Sequence, residues 1–360
     1  MRATQELHEL GQSLWLDNIT RGMIDAGTIQ NYIDTYSVTG LTSNPSIFDN
    51  AIKTGEYNEA ITTLSEQGLT SEEIFFGLAI ADLQRAADLF QPVHDRTSGV
   101  DGWVSLEVSP LLAYDTDRTV AAAQELHQRA NRPNLFIKIP GTPEGLPAIE
   151  ECVALGVPIN VTLLFDVNQY VAAADAYLRG VERRITDGLN PLVHSVASLF
   201  ISRWDAAVAG AVPAELENQL GLAVGLETYL AYRTFMDSDR LRRIENFGGR
   251  AQRLLWASTK TKDPAAPDTL YVQGLASPFT INTMPDSTLP AFFAHGVVGT
   301  PLAKDGGELQ NQFDRFAAVG VDRRSLALKL QKDGAASFAS SWNELLSRIE
   351  TLLSNTEETT

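Results

Sequence analysis

Cysteine is almost missing from this chain: Cys152 is the only one in 360 residues. That excludes an intramolecular disulfide framework and a thiolate metal cluster, and it fits a reducing compartment. Histidine is nearly as sparse. His8, His94, His127, His194 and His295 are scattered, none falls into HExxH or another ligand spacing, and they read as structural, so no metal is expected. Basic charge is in deficit, with 28 Lys and Arg against 45 Asp and Glu and a formal net charge of −17. Without a basic stripe, neither nucleic acid nor an anionic membrane surface is expected as a partner. No apolar run approaches a membrane span and the start, MRATQELHELGQSLWL, carries acidic residues, so a cytoplasmic protein is expected. A GxGxxG turn is absent and GTPEG after Lys138 lacks the GK[ST] ending of a phosphate loop. No nucleotide cofactor is indicated, and GTPEG reads as a plain strand-to-helix turn.

What remains is the composition of an ordinary globular protein, 44% hydrophobic and 20% charged. Short β-rich runs recur at 13–19, 36–44, 102–109, 134–140, 157–165, 192–200, 253–259 and 279–285, with helical patterns between them. In TSEEIFFGLAIADLQRAADLF, Thr70 and Glu73 have the spacing of a capping box ahead of a helix-period apolar face. Alternating strands and helices favour a parallel sheet, and eight such units without a second core predict a (β/α)8 TIM barrel with additional helices. The barrel is expected over residues 1–353 as one domain with a C-terminal helical extension. There Phe338, Trp342, Leu345, Leu346, Ile349, Leu352 and Leu353 mark an amphipathic helix packing on the barrel or on a partner. Residues 354–360 are expected to form a flexible tail.

Within the run LFIKIP, a lysine stands where an aliphatic residue belongs. Alternate strand residues share a face, so Phe136, Lys138 and Pro140 point together. Lys138 is then either inward, near the carboxyl end of its strand, or outward with Ile137 and Ile139 in the lumen; spacing alone leaves both open. Neighbouring strands carry polar residues at the same late position: Asp17, Glu107, Asn160 with Thr162, and Ser198. Barrel enzymes assemble their sites at the carboxyl ends of strands. Each residue also has a plain reading: Asp17 as a helix N-cap, Glu107 as a solvated strand-end charge, Lys138 as a snorkelling surface lysine, and Asn160, Thr162 and Ser198 as partners of loop backbone. Coincidence over five strands favours a site.

A lysine in a water-poor barrel is pressed towards its free amine, which attacks a carbonyl to give a Schiff base. The iminium is an electron sink. Loss of a proton from a hydroxyl two carbons away then breaks the intervening carbon–carbon bond, a retro-aldol step that needs a base. Asp17 and Glu107 offer carboxylates for the two proton-transfer duties, without the spacing dividing them. A phosphate on the substrate calls for local cations against the acidic mean field, and Arg203, Lys260 and Lys262 follow strand ends.

LWLDNITRG, VTGLTSNPSIF, VSLEVSPLLAYD, FIKIPGTPEGLPAIEE, INVTLLF and SLFISRWD resemble the successive signatures of the transaldolase family, and WASTKTKDP with NTMP extends the likeness to about Pro285. The resemblance implies a cofactor-free barrel enzyme of the pentose phosphate pathway. Its members move a dihydroxyacetone unit from sedoheptulose 7-phosphate or fructose 6-phosphate to glyceraldehyde 3-phosphate or erythrose 4-phosphate. It implies Lys138 as the Schiff-base lysine, Asp17 as acid/base at the cleaved bond, and Glu107 activating a catalytic water with Thr162. It also implies Asn44, Asn160 and Ser198 on the dihydroxyacetone moiety, Phe200 as an apolar wall and Arg203 on the phosphate. The family's second phosphate-binding arginine has no match, which leaves Lys260 or Lys262, with Lys262 favoured. Monomer and homodimer both stay open.

Two alternatives follow. A fructose 6-phosphate aldolase releases free dihydroxyacetone, but such relatives are shorter and usually hold glutamine and tyrosine where this chain has Glu107 and Phe200. A non-catalytic phosphosugar-binding barrel needs neither a reactive lysine nor two carboxylates.

Overall fold

Each of the eight β-rich runs forms a strand in the computed structural model, which describes residues 2–357. The strands are β1 Ser13–Asp17, β2 Val38–Thr42, β3 Val104–Glu107, β4 Leu135–Pro140, β5 Ile159–Leu164, β6 Ser195–Phe200, β7 Arg253–Ala257 and β8 Ile281–Pro285. Several are shorter than their runs because helix signals encroach. The run at 36–44 keeps only β2, since Tyr36 ends one helix and Asn44 caps the next, Pro45–Lys53.

Neighbouring strands are parallel in the order β2-β1-β8-β7-β6-β5-β4-β3, and the sheet curls until its ends meet. The closing seam is short: Gly40 of β2 bridges Trp103, Leu41 N–H donates to the Trp103 carbonyl at 2.9 Å, and Gly102 N–H donates to that of Thr39 at 2.7 Å. Glycine is required there. A Cβ on Gly40 would sit 2.7 Å from the Trp15 ring and 2.8 Å from the Trp103 carbonyl oxygen. The fold is the predicted (β/α)8 barrel.

Below the strand ends the lumen is plugged by aromatic rings. Phe136 stacks on Trp103 at 4.0 Å between centroids and lies 6.2 Å from Trp15, all of them almost wholly buried. Burial of each such ring is worth roughly 1.5–3 kcal/mol, and the plug gives the residues above it a dry floor. Outside the barrel, the helix Ser71–Arg96 begins with the expected capping box: Thr70 Oγ1 accepts from Glu73 N–H at 3.3 Å while the Glu73 carboxylate accepts from Thr70 N–H at 2.8 Å. GTPEG is the turn from β4 into the helix Gly145–Ala154, with Thr142 Oγ1 accepting from Gly145 N–H.

The last helix, Arg323–Glu357, is much longer than its apolar stripe suggested, and it packs on its own barrel. Phe338, Trp342, Leu345 and Ile349 are buried, with Leu346, Leu352 and Leu353 partly so, and Trp342 packs edge-on against Phe75. Gln331 reaches the ends of β4 and β5, and Ser341 and Arg348 bond Ser46 and Asp49 of the helix after β2. The helix thereby crosses the carboxyl-terminal mouth of the barrel. It continues to Glu357, into the segment expected to be a tail; residues 358–360 lie outside the described residues. No helix among the described residues is long and apolar enough to cross a membrane.

Candidate active site

Strand register settles the orientation of Lys138. It pairs with Glu107 on β3 and Asn160 on β5, and its face is that of Phe136 in the lumen plug. The side chain points inward and is only 5% exposed, which removes the surface-lysine reading. Its ammonium donates to the Ser43 carbonyl at 3.1 Å and stands 3.2 Å from Glu107 Oε2. Glu107 is likewise 5% exposed, so it is no solvated strand-end charge. An ion pair this dry stabilises little in net terms, because desolvating both groups consumes most of the attraction. Its presence calls for a chemical reason.

Asp17 closes β1 and pairs in register with Thr42, whose hydroxyl donates to Asp17 Oδ1 at 2.9 Å. The N-cap reading fails here. The helix Arg21–Asp25 is capped by Thr20, which accepts from Met23 N–H, and Asp17 is left facing the cavity. Three consecutive residues at the end of β2 thus serve the site: Thr42 binds Asp17, the Ser43 carbonyl binds Lys138, and Asn44 borders the cavity. Asn44 also caps the helix Pro45–Lys53 through its side-chain oxygen, which leaves its amide nitrogen free for a ligand.

Burial dominates the electrostatics. It pushes the Asp17 carboxyl above its ordinary range, against the pull of Lys138, the Thr42 hydrogen bond and Lys262. The Glu107 carboxyl is also pushed up by burial, opposed chiefly by Lys138 and reinforced by the charge on Asp17. Burial thus disfavours the charged form of both carboxyls that share this space with Lys138, the kind of perturbation found where side chains exchange protons with a substrate.

A cavity of about 210 Å³ opens above these groups. Asp17, Asn44, Lys138, Thr162, Ser198, Phe200, Arg203 and Lys262 line it, so most of the sequence-derived candidates converge. Glu107 and Asn160 are not on the lining. Asn160 lies beneath it, accepting from Ser198 Oγ at 2.7 Å and donating to Ser105 Oγ at 3.1 Å, so it orients Ser198 from below. The Thr162 hydroxyl is buried without a hydrogen-bond partner among the described residues, the state of a group kept for a ligand or a water.

The cavity's outer end is cationic. Arg203 lies 5.0 Å over the Phe200 ring and 5.6 Å from that of Phe338, and burial lowers the proton affinity of its guanidinium. Lys260 and Lys262 both border the cavity; burial and the charges of Lys260 and Arg203 push the Lys262 amine below its usual range. Such mutual repulsion favours an anion between them. Sequence reasoning missed Thr42, Ser46, Ser258, Thr283 and Phe338, which also line the cavity. Ser258 adjoins the lysines in STKTKDP, so position alone pointed to it; the threonines and Phe338 carried no such signal.

A larger cavity, about 400 Å³, lies at the opposite mouth of the barrel, where strands begin. Size does not make it the chemical site. Its buried carboxylate, Asp101, is already bound by Ser13 Oγ, Trp15 Nε1 and Arg253, and no lysine lines it.

With this geometry in hand, comparison with known proteins is specific. The family described as Transaldolase/Fructose-6-phosphate aldolase matches residues 14–349. A protein named Transaldolase from Mycobacterium bovis (strain BCG / Pasteur 1173P2) is 42% identical over 351 residues, covering 94% of each chain. Proteins of the same name from Parafrankia sp. (strain EAN1pec) and Kocuria rhizophila are 42% and 41% identical, covering 96% and 97% of this chain.

Proposed function

Since the chain belongs to the transaldolase/fructose-6-phosphate aldolase family and is thereby an aldolase-type transferase, we propose that it transfers a dihydroxyacetone unit between phosphorylated sugars through a Schiff base on Lys138. The donors are sedoheptulose 7-phosphate and fructose 6-phosphate, and the acceptors glyceraldehyde 3-phosphate and erythrose 4-phosphate. One observation carries this reading: a lysine amine buried in the barrel between a backbone carbonyl and Glu107, with Asp17 across the same cavity.

The geometry supports the following order of steps. Lys138 Nζ adds to the ketone carbon and, after loss of water, an iminium forms. Asp17 takes the proton of the hydroxyl on the carbon β to the iminium, the bond between that carbon and the α-carbon breaks, and its electrons pass into the iminium to leave an enamine on Lys138 while the β-carbon becomes the aldehyde carbon. The released aldose phosphate departs. A second aldehyde enters, the enamine carbon attacks it, and Asp17 returns the proton to the new alkoxide. Glu107, next to Lys138, shuttles protons for the water lost and regained, with Thr162 holding that water. Asn44 and Ser198 bind the dihydroxyacetone hydroxyls against the Phe200 wall, while Arg203 and Lys262 hold the phosphate.

Borohydride reduction in the presence of fructose 6-phosphate, followed by mass spectrometry of the peptide containing Lys138, tests the proposal. A reduced three-carbon adduct on Lys138 is expected. No adduct, in protein shown to bind the sugar, overturns it.

A further inference from the structure

The steps above leave two hydroxyls beside Asp17 without a role. Thr42 Oγ1 donates to Asp17 Oδ1 at 2.9 Å and also lies 2.8 Å from Thr283 Oγ1. A threonine hydroxyl has a single proton to give. With that proton committed to the carboxylate, the second bond must run from Thr283 to Thr42. The two threonines sit on β2 and β8, the strands that flank β1 on either side, and both are 2% exposed. The end of β8 is itself fixed, because Thr259 Oγ1 donates to the Thr283 carbonyl at 2.9 Å.

We propose that Thr283 and Thr42 are positioning residues: a one-way pair of hydroxyls that aims the Asp17 carboxylate at the substrate hydroxyl and stabilises its charge. This rests on the reading of Asp17 as the base at the cleaved bond. Burial works against an ionised Asp17, and each hydrogen bond to the ionised form works for it. A donor behind a donor strengthens the inner bond by polarising it. The charged groups facing Asp17 are Lys138 from β4 and Lys262 from the segment after β7, both attractive, and Glu107 from β3, repulsive, with Arg203 beyond Glu107. All of them remain when a threonine is changed. No proton leaves the pair during turnover: when Asp17 accepts the substrate proton on its other oxygen, the Thr42 bond weakens and then recovers.

The test is the pH profile of kcat at saturating fructose 6-phosphate and acceptor, for the native chain, Thr42→Val, Thr283→Val and Thr283→Ser, with Asp17→Asn as reference. Losing a bond to the ionised form raises the pH at which Asp17 is protonated, so the acidic limb moves to higher pH. A shift of about one unit is expected for Thr42→Val and about half that for Thr283→Val, with Thr283→Ser close to native. A rate lowered equally at every pH with the limb unmoved, or a Thr283→Ser chain no better than valine, assigns Thr283 to packing and overturns the proposal. Thr283→Ala gives the same reading should the valine chain not fold. An acidic limb that survives in the residual activity of Asp17→Asn overturns the base assignment itself. Loss of that limb, with Thr283→Val unmoved, overturns the hydroxyl pair alone.

Discussion

Gln331, on the helix that crosses the barrel mouth, donates its side-chain amide to the carbonyl of Leu163 at 3.0 Å and to that of Gly141 at 2.9 Å. Leu163 has φ +58°, a left-handed conformation that a leucine rarely adopts, at the place where β5 slips register against β6. Thr162 immediately precedes it, and Gly141 follows the strand that carries Lys138. The last helix therefore holds the backbone at two strand ends of the site, and its tie to Leu163 offsets a local strain of the kind concentrated at working sites.

Replacing Gln331 with Met keeps the length of the side chain and removes both donors. Two buried carbonyls lose a partner, at a cost of about 1–3 kcal/mol in stability. If the tie also places Thr162, kcat falls by about tenfold, the loss for roughly 1.4 kcal/mol of misplacement, with KM for the donor sugar little changed. Thermal unfolding and steady-state kinetics measure both. A chain with native melting temperature and native kcat shows that the tie does neither.

Arg203 has no carboxylate within ion-pairing distance among the described residues and is held by the rings of Phe200 and Phe338. Gly334 of the crossing helix leaves it room, since a Cβ there would lie 3.1 Å from Arg203 Nη1. A cation kept waiting in this way suits a phosphate. Arg203→Ala is expected to raise KM for fructose 6-phosphate by about ten- to a hundredfold, the loss of a charge-assisted contact worth roughly 1.5–3 kcal/mol. Turnover of unphosphorylated fructose should hardly change. An equal loss on both sugars places Arg203 elsewhere in the reaction.

Much of this was legible in the sequence because its signals are local. Strand and helix periods alternate, Thr70 and Glu73 announce a helix start, and Lys138 stands out as a charge in an apolar strand. Asp17 and Glu107 gain meaning from standing at the same depth on other strands. What was illegible is tertiary. The Ser43 carbonyl that binds Lys138 is backbone, which any residue supplies, and nothing about leucine marks Leu163 for a left-handed turn. Phe338 lies in an apolar stripe that looks like any core stripe, and Thr42 and Thr283 are ordinary strand residues until the barrel brings them to Asp17. Asn160 shows the converse, since its strand position pointed to the cavity while the register sets it one layer below, under Ser198.

Lys138→Met should abolish transfer while the chain still folds. The substitution withdraws the ammonium that, first among the opposing influences, counters the effect of burial on Glu107, so the Glu107 carboxyl takes up a proton instead of remaining a lone buried charge. Circular dichroism is expected to match the native chain, with no transfer between fructose 6-phosphate and erythrose 4-phosphate. Measurable transfer by a folded Lys138→Met chain rules out the lysine mechanism.

Asp17→Asn separates activity from stability. Burial raises the folded-state pKa of Asp17 above its unfolded value, so at any pH above both the ionised carboxylate weakens the fold. That penalty fades as pH falls through the folded value and the native carboxyl becomes neutral. Asparagine is neutral throughout and still accepts the Thr42 hydrogen bond. The variant should therefore melt above the native chain at pH 8, with the difference shrinking towards zero on acidification, while bond cleavage slows by about 10²–10⁴-fold for want of a base. In the proposed sequence of steps the Schiff base forms before cleavage, so borohydride should trap the whole, uncleaved sugar on Lys138. A variant that melts lower at pH 8 would mean that the attraction of Lys138 and Lys262 for Asp17 outweighs its desolvation. In that case the cationic neighbours, more than the dryness of the site, set the charge state of the base.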